Sequence, residues 1–167
     1  MEPKNPSHAL SHLQVLRRIT DSTELGKTDP KSTDSIWISF SKITEVCPEL
    51  NTPIYQRVFD VFEKDEFGQT KLEHFIKGLM LFNSNSTSNT ERLKFCFALY
   101  DFDNDGFISF SDMQTCVKLM CGSYLTEGHV AEICESTIIK ADMNGDGKLS
   151  LGEFLGFCKK NVLKSGK

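Results

Sequence analysis

Oxygen-bearing side chains recur at fixed spacing in two stretches of this 167-residue sequence, DFDNDGFISFSD from Asp101 to Asp112 and DMNGDGKLSLGE from Asp142 to Glu153. A hard divalent cation takes about six to eight oxygen ligands at about 2.4 Å, and a twelve-residue loop supplies them from its first, third, fifth, seventh, ninth and twelfth positions, with glycine sixth for the turn. The later stretch meets every term. Asp142, Asn144 and Asp146 carry side-chain oxygens, Gly147 turns, Lys148 offers its backbone carbonyl, Ser150 acts directly or through a water, and Glu153 closes with both carboxylate oxygens. The earlier stretch does the same through Asp101, Asp103, Asp105, the Phe107 carbonyl and Ser109, but Asp112 stands where a glutamate is usual. One methylene less shortens that carboxylate's reach, so a smaller, six-coordinate geometry competes. The expectation is two Ca²⁺ sites, with weaker Ca²⁺ binding and more Mg²⁺ occupancy in the Asp101 to Asp112 loop.

Two further segments share the spacing but lack the oxygens. Glu63 to His74 keeps Asp65 and Gly68 while placing Phe67 fifth and His74 twelfth; no second histidine or cysteine stands at ligand spacing to make His74 a transition-metal ligand. Lys31 to Lys42 has only Thr33, Ser35 and Ser39 as side-chain oxygens at its ligand positions and ends in a lysine. Both are expected to be silent.

Such loops must be held by helices, and the apolar pattern places them. The segments FDVFEKDEFGQTKLEHF, FALYDFDNDGFISFSDM and TIIKADMNGDGKLSLGEF align without gaps at a repeat of about forty residues. Phe59/Phe62, Phe97/Tyr100 and Ile138/Ala141 precede the loops, and Phe75/Leu79, Met113/Val117 and Phe154/Cys158 follow them, each at helical spacing. Helix, twelve-residue acidic loop and helix make the EF-hand unit. Hands pair to cover their apolar faces, so Lys31 to Lys42 is read as the fourth, with Ile38 at the short strand position held by Ile108 and Leu149. Leu10, Leu13, Leu16 or Arg17, and Ile19 mark an amphipathic helix before it. The expected fold is all-α: two lobes of paired hands with short β pairings between loops. The boundaries are an N-terminal extension and helix over 1–30, a degenerate pair over 31–82, a polar linker over 83–90 (NSNSTSNT), a metal-binding pair over 91–163 and a tail over 164–167.

Composition narrows the function. The net charge of −4 gives no electrostatic footprint for nucleic acid, and no apolar run reaches the roughly 18 residues of a membrane-spanning helix. No secretory signal opens the chain, so a cytosolic or nuclear place is expected and the six scattered cysteines are read as reduced, mostly buried small hydrophobes. No nucleophile elbow, phosphate-binding glycine loop or histidine metal signature occurs, so no catalytic or cofactor-binding residue is assigned and an enzyme is not expected.

Two degenerate hands followed by FALYDFDNDGFIS and ADMNGDGKLSLGEF, with PELNTPIYQRVFDVF leading into the second, resemble the calcineurin B family over about residues 36 to 160. The calcineurin B homologous proteins and the calcium- and integrin-binding proteins resemble it nearly as well. The resemblance implies a non-catalytic regulatory subunit cradling an amphipathic helix of a larger partner, in calcineurin B the catalytic subunit of a Ca²⁺/calmodulin-dependent Ser/Thr phosphatase. The alternatives it leaves are an adaptor for a membrane-protein tail and a simple calcium buffer. Calcineurin B proteins generally bind four calcium ions where two loops of this chain are expected to, and Asp112 is similar to the integrin-binding branch, where that loop can hold Mg²⁺. Glu2 stands where myristoylation needs glycine, so none is expected. Thirteen phenylalanines exceed what four small hands need for one shared core, and some aromatic surface is expected to line a groove between the lobes. The ligand-free lobe is expected to stay folded by burial alone and act as the constitutive docking surface.

Overall fold

The computed structural model describes residues 12–22, 36–83 and 90–165. Leu10, residues 31–35 of the first loop with Thr33 and Ser35, and residues 84–89 of the polar stretch lie outside them. The described residues form eight α-helices and two short antiparallel ribbons, in agreement with the all-α expectation. The chain divides into two compact units, residues 1–80 and 81–167.

In the first unit α1 (His12–Ser22) precedes β1 (Trp37–Ile38), α2 (Phe40–Val46), a 3₁₀ turn (Pro48–Leu50), α3 (Pro53–Asp60), β2 (Thr70–Lys71) and α4 (Leu72–Asn83). Ser39 has extended backbone and accepts from Lys42 N at 3.2 Å, which starts α2 by supplying an oxygen to an orphan N–H. Pro53 opens α3, where its fixed φ suits the first turn and its missing donor is not needed. Ile38 pairs with Thr70 and Trp37 with Lys71, so the first loop takes the register in which Ile38 is the strand residue. Val15, Ile19, Ile43, Cys47, Val58, Phe59, Leu72, Phe75 and Leu79 are buried to within 2%. The Phe59 ring lies 5.5 Å from Phe40 and 6.0 Å, edge-on, from Phe75. An ion pair from Arg18 to Glu49 ties α1 to the 3₁₀ turn.

The second unit runs α5 (Thr90–Tyr100), β3 (Phe107–Ile108), α6 (Phe110–Cys121), a 3₁₀ turn (Gly122–Tyr124), α7 (Glu127–Ala141), β4 (Leu149–Ser150) and α8 (Leu151–Ser165). Ser109 and Asp112 make a reciprocal capping box at α6, and Thr126 caps α7 by accepting from His129 N at 3.3 Å. Ile108 pairs with Leu149 across the ribbon, and both are buried with Phe97, Met113, Val130, Cys134, Ile138 and Ala141. Phe154 packs edge-on against Phe97 at 5.6 Å. All six cysteines are free thiols; Cys47, Cys116 and Cys134 are buried and Cys96, Cys121 and Cys158 half-buried. No helix among the described residues is long and apolar enough to cross a membrane.

Candidate metal centre

Asp101 directly follows α5 and is buried, whereas Asp103 and Asp105 are exposed; one carboxylate oxygen of each lies within 4.8 Å of the others. The loop backbone organises this cluster. Asp101 accepts from Asp105 N at 3.1 Å and, through Oδ2, from Gly106 N at 3.0 Å, while Asp103 also accepts from Asp105 N at 3.2 Å. Gly106 has φ of +85°, a conformation that a side chain would strain. Burial, ahead of any other influence, pushes the Asp101 carboxyl above its ordinary pKa. Across the loop, Asp112 reaches back from the first turn of α6. Its Oδ2 accepts from Ser109 N at 2.9 Å and Ser109 Oγ at 2.6 Å, and its Oδ1 from Phe102 N at 3.3 Å. Phe107 lies in β3 opposite Ser150.

The second loop repeats the plan. Asp142 accepts from Gly145 N at 2.7 Å and Gly147 N at 2.8 Å, Asn144 Oδ1 from Asp146 N at 2.9 Å, and Asp146 Oδ1 from Lys148 N at 2.9 Å. Glu153, in the first turn of α8, accepts through Oε1 from Met143 N at 3.0 Å and Asn144 N at 3.3 Å. Its Oε2 accepts from Ser150 N at 2.9 Å and Ser150 Oγ at 2.7 Å. These donors, the Ser150 hydroxyl foremost, hold its carboxyl down at about 2. Four donors meet Glu153 and three meet Asp112. The longer side chain touches two backbone N–H groups at the loop entrance where the shorter touches one, which is the reach difference expected from one methylene.

The donor set of each loop is all oxygen, arranged around a positive-φ glycine with a carboxylate spanning the loop from the following helix. These residues fit a hard cation of the Ca²⁺ or Mg²⁺ kind and offer no nitrogen or sulfur for a softer one.

The Glu63 to His74 loop is built differently. Asp65 Oδ1 accepts from Phe67 N at 3.0 Å and Gln69 N at 2.8 Å, and Phe67 is 76% exposed at the fifth position. His74 leans on the Phe62 ring at 5.9 Å and lies 3.6 Å from Glu73. Lys64, which spacing alone does not single out, folds its ammonium back onto the Phe59 and Phe62 carbonyls beyond α3 and over the Phe59 ring at 4.3 Å. Burial lowers its pKa. A second unforeseen contact joins the two acidic loops of the other unit: Lys148 Nζ donates to Asp105 Oδ2 at 3.0 Å. The signal for both was present, a lysine inside a metal-loop pattern, but only the backbone shows which oxygen each reaches.

Beside the acidic loops, α5, α6, α7 and α8 enclose an apolar groove of about 340 Å³. Leu93, Cys96, Tyr100, Met113, Phe154 and Phe157 line it, the buried Ile108 and Leu149 of the ribbon contribute to it, and Arg92 supplies a charge. Arg92 Nε is buried with no hydrogen-bond partner among the described residues. Burial pushes the Tyr100 hydroxyl up to about 12. Tyr100, Phe154 and Phe157 thus pack against the core of the second unit on one side and line this cavity on the other.

A family model for an EF-hand domain pair matches residues 90–159. Among curated proteins, the chain is 37% identical over 102 residues to the calcineurin B protein of Yarrowia lipolytica, covering 61% of this chain and 58% of that protein. It is 38% identical over 108 residues to the type 2 calcineurin B protein of Homo sapiens, covering 64% of this chain and 63% of that one. The type 2 calcineurin B protein of Dictyostelium discoideum is 35% identical over 108 residues, covering 64% and 58% respectively. The matches therefore span about three-fifths of the relatives' own length.

Proposed function

Since the chain is an EF-hand protein similar to calcineurin B proteins, we propose that it is a calcium-responsive, non-catalytic regulatory subunit for a larger partner, a Ser/Thr phosphatase catalytic chain, of which it binds an amphipathic helix. Two cations are held in the second unit. Asp101, Asp103, Asp105, the Phe107 carbonyl, Ser109 and Asp112 serve one, and Asp142, Asn144, Asp146, the Lys148 carbonyl, Ser150 and Glu153 the other. Mg²⁺ is tolerated at the first. The division into a degenerate pair over 31–82, a linker over 83–90 and a metal-binding pair over 91–163 belongs to the same reading.

The observation that carries it is the adjacency of loop and groove. Met113 and Phe154 line the groove and immediately follow Asp112 and Glu153, the residues that close the two loops. Ile108 and Leu149, between the loops, line it as well. A bound calcium ion supplies a concentrated positive charge that carboxylates prefer to backbone N–H donors. Glu153 and Asp112, drawn further into their loops, shift Phe154 and Met113 with the first turns of α8 and α6, and so reshape the groove floor. An apolar groove between helices with few charges suits one face of a partner helix.

Calorimetric titration of the full chain with CaCl₂ tests the first half, and the expected result is two ions per chain; three or four would overturn the ligand assignment. Co-purification with a Ser/Thr phosphatase catalytic chain tests the second. The expected result is a complex retained in chelator, since the first unit is folded by burial and docks constitutively. Complete release in chelator would replace this by a fully calcium-switched binder.

A further inference from the structure

Resting on the reading of the two loops as cation sites, we propose that the Lys148 side chain is a built-in competitor for the Asp101 to Asp112 loop and makes that loop the weaker and later-filling of the two. Lys148 belongs to the other loop, yet its ammonium donates to Asp105 Oδ2 at 3.0 Å across a sequence separation of 43. The Phe107 ring, 5.6 Å from the ammonium, flanks it. The ribbon fixes this encounter: Ile108 is paired with Leu149, so the residue before Leu149 is delivered to the mouth of the neighbouring loop.

Asp105 is one of the three carboxylates gathered there, and both its oxygens are engaged, Oδ1 by Phe107 N at 2.8 Å and Oδ2 by Lys148. A cation entering this loop meets a carboxylate already neutralised by a tethered positive charge, and must displace or tolerate it. The reciprocal contact is absent among the described residues. Asp146, the corresponding ligand of the other loop, is engaged by Lys148 N and Asn144 Nδ2, each at 2.9 Å, and neither group is charged. Phe107, which holds the position equivalent to Lys148, has no charge to offer. This asymmetry is separate from the short reach of Asp112 and acts in the same direction. Because the backbone of Lys148 is part of one loop and its ammonium occupies the other, it links the two fillings in a fixed order.

The Lys148 and Asp105 side chains are 46% and 35% exposed, so solvent screens the pair and its removal is worth about a two- to five-fold change in affinity. The experiment is a CaCl₂ titration of the ¹⁵N-labelled full chain and of its Lys148→Gln and Lys148→Arg variants, read at the Gly106 and Gly147 amides. Each amide donates to the first carboxylate of its own loop, at 3.0 and 2.8 Å, and so reports that loop alone. The expected result is a Gly106 midpoint at about two- to five-fold lower calcium in Lys148→Gln and the native midpoint in Lys148→Arg. The gap between Gln and native should close towards 1 M salt, where the screening length falls to about 3 Å. An unchanged Gly106 midpoint, an arginine that behaves like glutamine, or a gap indifferent to salt overturns the proposal. If neither glycine responds to calcium in the native chain, it is the cation-site reading that fails.

Discussion

Thr70→Val should stabilise the first unit, although it removes a polar group from a ribbon. Thr70 is fully buried and its Oγ1 has no hydrogen-bond partner among the described residues, while the same ribbon position is Ile38 in the paired strand and Ile108 and Leu149 in the other unit. A buried donor left unsatisfied costs about 1–3 kcal/mol, and valine replaces the hydroxyl by a methyl of nearly the same shape. Threonine and valine are both β-branched, so strand preference changes little. The lower part of that range is the appropriate expectation, about 1–2 kcal/mol, because the unfolded chain hydrates the threonine only in part. For a unit of this size that corresponds to roughly 4–8 °C per kcal/mol in melting temperature. Trp37 is the only tryptophan of the chain and stands in β1 next to Ile38, the partner of Thr70, so its fluorescence reports unfolding at the substituted ribbon. Urea and thermal unfolding followed by Trp37 should show a higher midpoint for Val, a lower one for Thr70→Ser, and the same Val gain in calcium and in chelator. A Val midpoint at or below native, or a gain that depends on calcium, would refute the reasoning.

Glu153→Gln replaces two equivalent acceptor oxygens by one oxygen and an amide, and should abolish calcium binding at its loop in the roughly 10⁻⁷ to 10⁻⁵ M range of sensor sites; an unchanged calorimetric titration refutes this. Asp112→Glu should raise Ca²⁺ affinity against Mg²⁺ at its loop, because the longer side chain can close on the ion with both carboxylate oxygens; a competition titration with no gain counts against the reach argument. In chelator, Glu153 should also mark the acid limb of the second unit. Its folded pKa, about 2, lies below the unfolded value near 4.3, so its contribution is complete above that value and is lost as pH falls towards 2. Glu153→Gln should flatten that limb in a pH series of urea midpoints, and a parallel pair of curves would show that the carboxylate is not responsible.

The repeat, the loop boundaries and the helix faces were legible because each has a period. Phe59, Phe75 and Leu79 are buried as their spacing requires, and Ile38 takes the strand position that aligning the loops assigns to it. The groove inside the second unit was not legible, since the excess of phenylalanine pointed to a groove between lobes and composition does not say which rings turn inward. Phe67 illustrates the limit, being 76% exposed inside a silent loop. Long flexible side chains were legible only as lysines inside loops patterned for carboxylates: the Lys64 ammonium folds back on the nearby end of α3, and that of Lys148 reaches Asp105, 43 residues away, through the strand register.

Those two lysines account physically for the difference between the units. A helix C-terminus presents unpaired carbonyls and a partial negative charge, and the loops that follow α3, α5 and α7 begin at such an end, where a positive charge is favourable. At the end of α3, beside Glu63, Asp65 and Glu66, a tethered cation is present: the Lys64 ammonium meets the Phe59 and Phe62 carbonyls. Beyond α5 and α7 the negative end is joined by carboxylates, Asp101, Asp103 and Asp105 on one side and Asp142 and Asp146 on the other, and one ammonium, Lys148, is paired with a carboxylate of the first set. Compensation there is incomplete without a diffusible ion. On the proposed reading the first unit is indifferent to calcium because its loops lack the closing carboxylate and one of them holds a tethered ammonium at its helix end, and the second is responsive because Asp112 and Glu153 close loops whose carboxylates are mostly without one.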